Sequence, residues 1–209
     1  MMAVSTSPFL RRLTILLWAA LLAVPAWAVA PAPQAADDES TPAKNADKQE
    51  KLAPLQCGKI ARLHTLGGLF LASQPDKADF THAKEAGIKT VLNLRQSDEM
   101  DWDEGELVRS LGMEYVHLPF RAPATLTDEV FDQARKLLAD KEKRPLLVHC
   151  ASANRVGAVW LVHRVLDDGK SYDDALEEAK TVGLALPAYE EKAKDYIART
   201  QDKAAAEKK

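Results

Sequence analysis

The sequence is short of cysteine, of basic excess and of long apolar runs, and each shortage removes a class of function. Two cysteines, Cys57 and Cys150, in 209 residues cannot form a disulfide framework. Neither they nor the five histidines fall at metal-ligand spacing, so no metal or other cofactor is expected. A formal charge of −3 with no Lys/Arg stripe argues against a nucleic-acid partner. No internal repeat is found. What remains, 46% apolar and 28% charged, reads as one ordinary globular domain with appendages.

The apolar run "LTILLWAALLAV" is broken by Pro25 after twelve residues, short of the ~20 that span a bilayer. It follows Arg11–Arg12 and precedes "AWA" (26–28) or "AVA" (28–30), the three-part layout of a secretory signal. Residues 1–30 are therefore expected to be a signal peptide that meets the membrane only transiently. Its cleavage would leave a protein periplasmic in, or secreted from, a bacterium; the alternative is an uncleaved anchor. Residues 31–54 mix Pro, Ala and alternating charge, cannot bury enough surface to offset their ordering entropy, and are expected to be a disordered linker. The folded domain is expected over 55–199, with a flexible tail at 200–209.

Inside the domain, strand and helix patterns alternate. "ARLHTLGGLFLASQ" predicts two short strands about the Gly67–Gly68 turn, and "DKADFTHAKEAG" a helix closed by Gly87. "KTVLNLR" and "MEYVHLPF" are strand-like and flank a helix capped by Asp101 or Asp103. "LTDEVFDQARKLLAD" places Val130, Phe131, Ala134, Leu137 and Leu138 on one helical face. "PLLVH" is a continuous apolar run, as in a strand covered on both faces. Helices are predicted over 156–167, 172–182 and 188–199. The sum is an α/β fold, a five-stranded, mostly parallel sheet with helices on both faces.

Chemistry concentrates in "RPLLVHCASANRVGAVW" (144–160). Ligands of open α/β sheets bind at the carboxyl ends of strands, where Cys150 falls, and the following helix points its N-terminus back at it. Free amides and the positive end of a helix dipole favour a thiolate and a bound oxyanion. Arg155, a cation where a helix N-terminus disfavours one, is explained by a bound anion that its planar fork clamps. A sulfur nucleophile, a cup of amides at Ala151, Ser152, Ala153 and Asn154, and a guanidinium suit attack on a phosphate ester through a phosphocysteine. The competing reading is a buried structural thiol, since free cysteine is among the most buried residue types.

"VHCASANRVGA" resembles the active loop of the protein tyrosine and dual-specificity phosphatase superfamily, whose pattern is HC-x(5)-R. "LFLASQP", "GIKTVLNLR", "LGMEYVHLPF" and "LTDEVFDQARKLL" extend the likeness to a bacterial branch over about residues 58–197. The resemblance implies a dual-specificity-phosphatase-like fold acting on a phosphorylated substrate. It implies Cys150 as nucleophile, Arg155 binding phosphate and transition state, and His149 orienting the loop and sustaining the thiolate. The loop here is HC-x(4)-R, one amide short. Ala153 stands at the usual central glycine, with Asn154 beside it to tolerate a left-handed backbone, and Val156 replaces the hydroxyl residue after the arginine, a role open to Ser152.

The superfamily's general acid lies on the loop after the preceding strand, here "FRAPATLTDEV", where Asp128 is the candidate. Asp128 also suits ordinary complementation of a helix dipole. Asp98, Glu99 and Asp101, after the strand ending at Arg95, are the alternatives. Two other functions compete: a rhodanese-type sulfurtransferase, whose loop also spans C-x(4)-R, and a non-catalytic phospho-ligand binder. In an oxidising compartment, a Cys57–Cys150 disulfide is a further possibility to test.

Overall fold

The computed structural model describes residues 51–207. Its strands are β1 (Ala53–Pro54), β2 (Leu63–Leu66), β3 (Leu69–Ala72), β4 (Thr90–Asn93), β5 (Glu114–His117) and β6 (Leu146–His149). They form one sheet in the order β1-β2-β3-β6-β4-β5. The pairs β3–β6, β6–β4 and β4–β5 are parallel, while β1 and β2 add an antiparallel edge. Every residue of β3, β4 and β6 is buried, which is why these runs show no apolar/polar alternation.

The helices are α1 (Lys77–Glu85), α2 (Glu104–Ser110), α3 (Asp128–Ala139), α4 (Asn154–Leu166), α5 (Tyr172–Val182) and α6 (Pro187–Ala206). Phe80 and Ala83 of α1 and Val108 of α2 pack with Phe70, Val91 and Leu147 on one face of the sheet. The other four helices cover Leu69, Leu71, Leu92, Leu146 and Val148 on the opposite face. On α3 the buried residues are Phe131, Ala134 and Leu138, with Val130 and Leu137 partly buried beside them, as the spacing predicts. Strand β6 enters last and lies between β3 and β4, so the connections on its two sides leave on opposite faces. Its carboxyl end is thus the crevice where an α/β sheet receives a ligand.

Several boundaries differ from expectation. A sixth strand, β1, arises within the expected linker, because Leu55 N–H donates to Leu63 O at 2.9 Å and holds residues 53–54 against β2. Helix α6 continues past residue 199 to Ala206 through the expected tail. Helix α4 begins at Asn154 rather than 156. The expected signal peptide and the linker as far as residue 50 lie outside the described residues.

Candidate active site

Strand alternation aims neighbouring side chains at opposite faces, and β6 uses this to part His149 from Cys150. Cys150, 1% exposed, joins the apolar cluster beneath α4. His149 turns to the other face, its ring 5.8 Å from that of Phe80. There its Nε2 meets Glu104 Oε1 at 2.8 Å, and both side chains are buried. Asn93 Nδ2 donates to the same oxygen at 2.8 Å, and Gln74 Nε2 to Oε2 at 3.3 Å. Burial pushes the Glu104 carboxyl up, but the hydrogen bonds with His149 and Gln74 and the charge of Arg95 together outweigh it, and the pKa falls below the ordinary carboxylate value. His149 is therefore a buried tether for the strand that leads into Cys150.

The same alternation rules on the second cysteine. Cys57 packs with Leu147 and Phe70 on the α1 face, whereas Cys150 belongs to the α4 face. The sheet separates them, both thiols are free, and the possible disulfide is not formed.

After Cys150 the loop turns its carbonyls outward. Gln74 N–H donates to Ala151 O at 3.1 Å, Arg62 Nη1 to Ser152 O at 3.0 Å, and Gly157 N–H to Ala153 O at 2.8 Å. The amides of Ala151 through Val156 have no acceptor among the described residues. Successive unpaired amides running from an exposed turn at Ala151–Ser152 into a buried helix start form a nest suited to an anion. Ala153 itself adopts the left-handed conformation, with φ 69° and ψ 3°, and not Asn154 as expected. Asn154 is helical: its Oδ1 accepts from the amides of Ala185 and Leu186 at 2.8 and 2.9 Å. Its Nδ2 donates to Ser152 Oγ at 3.1 Å, on the exposed side of the loop. Gly183 makes the brace possible, since a Cβ there would stand 2.8 Å from Ala153 Cβ.

Arg155 is 7% exposed. Its Nη1 donates to Glu99 Oε1 at 3.0 Å and to the carbonyls of Leu94 and Phe120 at 3.2 and 3.3 Å; Nη2 donates to Glu99 Oε2 at 2.5 Å. Glu99 thus grips the two-Nη end of the fork, while Nε and the second hydrogen of Nη2 have no protein acceptor among the described residues. A guanidinium held at one edge presents the other in a fixed plane for a second oxyanion. Burial pushes the Arg155 pKa down, but the hydrogen bonds and charge of Glu99 raise it above its ordinary value. Glu99 also accepts from Arg121 Nη2 at 2.7 Å, and Arg95 donates to its carbonyl. Hydrogen bonding to Arg155 above all holds the Glu99 carboxyl at about 2, so it is a charged brace and not a proton donor.

Asp128 does not take the place expected of it. It sits in the first turn of α3, paired with Arg199 of α6 at 2.5 and 2.8 Å. That hydrogen bond lowers its pKa below the ordinary value, which keeps it ionised at neutral pH. Asp98 and Asp101 are exposed on the turn that carries Glu99. Among the described residues no group of His, Cys, Asp and Glu is arranged to hold a metal.

Residues 69–197 match the family described as DSP-PTPase phosphatase fused to NAD+ Kinase. The chain belongs to that family. The DSP-PTPase match takes in β3 through most of α6, and with them Cys150, Arg155, Glu99 and Glu104. The dual specificity protein phosphatase TpbA of Pseudomonas aeruginosa is 27% identical over 117 residues, 56% of this chain and 51% of that protein. A beta-lactamase hydrolase-like protein of Agrobacterium fabrum is 27% identical over 125 residues, 57% of this chain and 28% of that protein. The chain thus spans about half or less of the length of the curated relatives it matches. Among solved structures, a DUF442 protein from Shewanella putrefaciens has a TM-score of 0.56 at 23% identity, covering 68% of this chain and 94% of that one. TpbA has a TM-score of 0.55 at 22% identity, covering 69% and 88%. Both share the fold.

Sequence reasoning singled out Cys150, Arg155 and His149, which the structure brings together on one strand, loop and helix start, and named Glu99 only as a proton donor. It missed Glu104, Gln74, Asn93, Arg62 and Arg121. These are ordinary polar residues, far from the loop in sequence, and no local spacing marks them.

Proposed function

We propose that this DSP-PTPase family member is a cysteine-dependent phosphatase that hydrolyses a phosphate monoester through a phosphocysteine intermediate. The observation that carries the reading is the enclosed Arg155 guanidinium, held by Glu99 with Nε and one Nη2 hydrogen free, in the row of unpaired amides that follows Cys150. Three non-bridging oxygens of a phosphoryl group need such a set of donors, and the buried Arg155 guanidinium is the one that gains most from its enclosure. Sγ of Cys150 attacks phosphorus, the ester oxygen leaves with its bonding electrons, and water then cleaves the P–S bond to release phosphate. A TpbA variant is solved in complex with pTyr, which makes an aryl phosphate the first substrate to offer.

The test presents the purified chain with 4-nitrophenyl phosphate, a phosphotyrosine peptide and, separately, thiosulfate with cyanide. Phosphate release abolished by Cys150→Ser is the expected result. Thiocyanate formation would identify a sulfurtransferase, and phosphate binding without turnover a phospho-ligand binder; either result overturns the proposal.

We also propose export to the bacterial periplasm or medium, on the strength of Arg11–Arg12, the twelve-residue apolar run and the small residues at 26–30. N-terminal sequencing of protein from periplasmic and culture fractions should find a chain beginning near residue 29 or 31. An intact Met1 on the exported protein refutes it.

A further inference from the structure

Three side-chain donors converge on one enclosed carboxylate, and each leads to a different part of the candidate site. Glu104 Oε1 accepts from His149 Nε2 and Asn93 Nδ2, both at 2.8 Å, and Oε2 from Gln74 Nε2 at 3.3 Å. His149 precedes Cys150, and its Nδ1 is enclosed without a partner, so Glu104 is the one hydrogen-bonding hold on the ring among the described residues. Gln74 supplies the main-chain N–H that holds Ala151 O, immediately after Cys150. Asn93 Oδ1 accepts from Arg95 N–H at 2.7 Å, at the start of the turn that carries Glu99, the brace of Arg155. The charged and titratable groups around the carboxylate are His149 of β6, Tyr115 of β5 and Arg95 of that turn. Burial first, and the Glu104 charge after it, push the Tyr115 hydroxyl up to about 12, so it stays protonated.

An ionised carboxylate offers two acceptor oxygens and no donor, which suits three converging N–H groups. A glutamine in its place would turn its own amide N–H either toward His149 and Asn93 or toward Gln74, setting donor against donor in the interior. Resting on the phosphatase reading above, we propose that Glu104 is a positioning residue for that reaction. Through His149, Gln74 and Asn93 it fixes three parts relative to one another: the strand end before Cys150, the first residue of the loop, and the base of the brace on Arg155. The amides after Cys150 favour a thiolate only while the turn keeps them in place, so loosening the turn weakens the thiolate. Removing a nearby negative charge acts the other way and favours the thiolate. Loss of position and loss of charge at Glu104 therefore differ in sign.

Glu104→Gln removes the charge and keeps the shape. The Cys150 thiol is titrated by thiolate ultraviolet absorbance in a Cys57→Ser background, with the signal of Cys150→Ser subtracted. Its midpoint should rise by about one pH unit, a tenfold loss of thiolate at a pH below it. On 4-nitrophenyl phosphate kcat should fall about 10–100-fold, the cost of a small misplacement of reacting groups. A midpoint that stays or falls overturns the assignment even if thermal stability drops, because a carboxylate that only fills the core, or acts only by its charge, gives that result. Where Glu104→Gln does not fold, Gln74→Met cuts one arm and leaves the main-chain N–H in place. A raised midpoint and about threefold lower kcat are then expected, and no change overturns the proposal. A parent chain that hydrolyses no phosphate ester sinks the phosphatase reading, whereas an active parent with an unmoved Cys150 titration in the variant sinks only the role of Glu104.

Discussion

Two arginine–carboxylate pairs in this molecule have the same two-point chemistry and opposite uses. Arg199 grips Asp128 between α6 and α3, with the two side chains 50% and 48% exposed. Arg155 grips Glu99 at the carboxyl edge of the sheet, 8% and 18% exposed. On the surface, water and salt compete for every donor, and such a pair contributes about 0–1 kcal/mol. In the interior the same contact fixes an enclosed guanidinium, and the loop before it carries amides without acceptors among the described residues. Burial, not pairing, makes one a site and the other a clasp between helices.

The largest separation between the pairs should appear in catalysis. Arg155→Lys keeps the charge but loses the fork, and phosphate release should fall about 10²–10³-fold, the cost of removing a transition-state donor. Arg199→Lys should stay within about twofold of the parent, as expected of a partner to an exposed ion pair. Comparable losses in steady-state assays of both variants would erase the distinction.

Stability should divide the pairs next. Glu99→Gln strands a buried guanidinium and should cost about 3 kcal/mol in urea unfolding, the lower end of the range for breaking an enclosed pair. Asp128→Asn should cost less than about 1 kcal/mol. Adding salt to about 0.5 M sharpens the contrast, because screening weakens exposed pairs much more than enclosed ones. The small Asp128→Asn effect should vanish while the Glu99→Gln effect persists.

Acid should produce the smallest difference. The Glu99 carboxyl titrates lower in the folded chain than its ordinary 4.5, at about 2. A depressed folded pKa contributes stability that is full above the unfolded value and lost as pH falls toward the folded one. The gap in thermal midpoint between parent and Glu99→Gln should hold from pH 8 to 5 and close between about pH 4.5 and 2. A gap unchanged at pH 3 would mean that Glu99 is not the charged brace described.

Local pattern made most of the fold legible. Asp103 and Ser171 cap the helices they precede, and Phe131, Ala134 and Leu138 fall on the buried face their spacing implies. The grouping of Cys150, Arg155 and His149 was legible for the same reason, since strand, turn and helix start are adjacent in the chain. Misreadings came where two segments distant in sequence compete for one residue. Asp128 looked like an acid until α6 brought Arg199 to it, and residues 53–54 looked like linker until β2 supplied their hydrogen bonds.

The chain's own order of residues was enough to establish the α/β class, the Cys150–Arg155 loop and its family, because periodicity, caps and an HC-x(4)-R turn are contacts among near neighbours. Only the tertiary structure could decide which carboxylate braces the arginine, which network holds His149, that Ala153 carries the left-handed turn, and that Cys57 and Cys150 face opposite sides of the sheet. Those outcomes depend on burial and on partners 30 to 70 positions away, and the interior sets them by the cost of leaving any charge or backbone donor there without a partner.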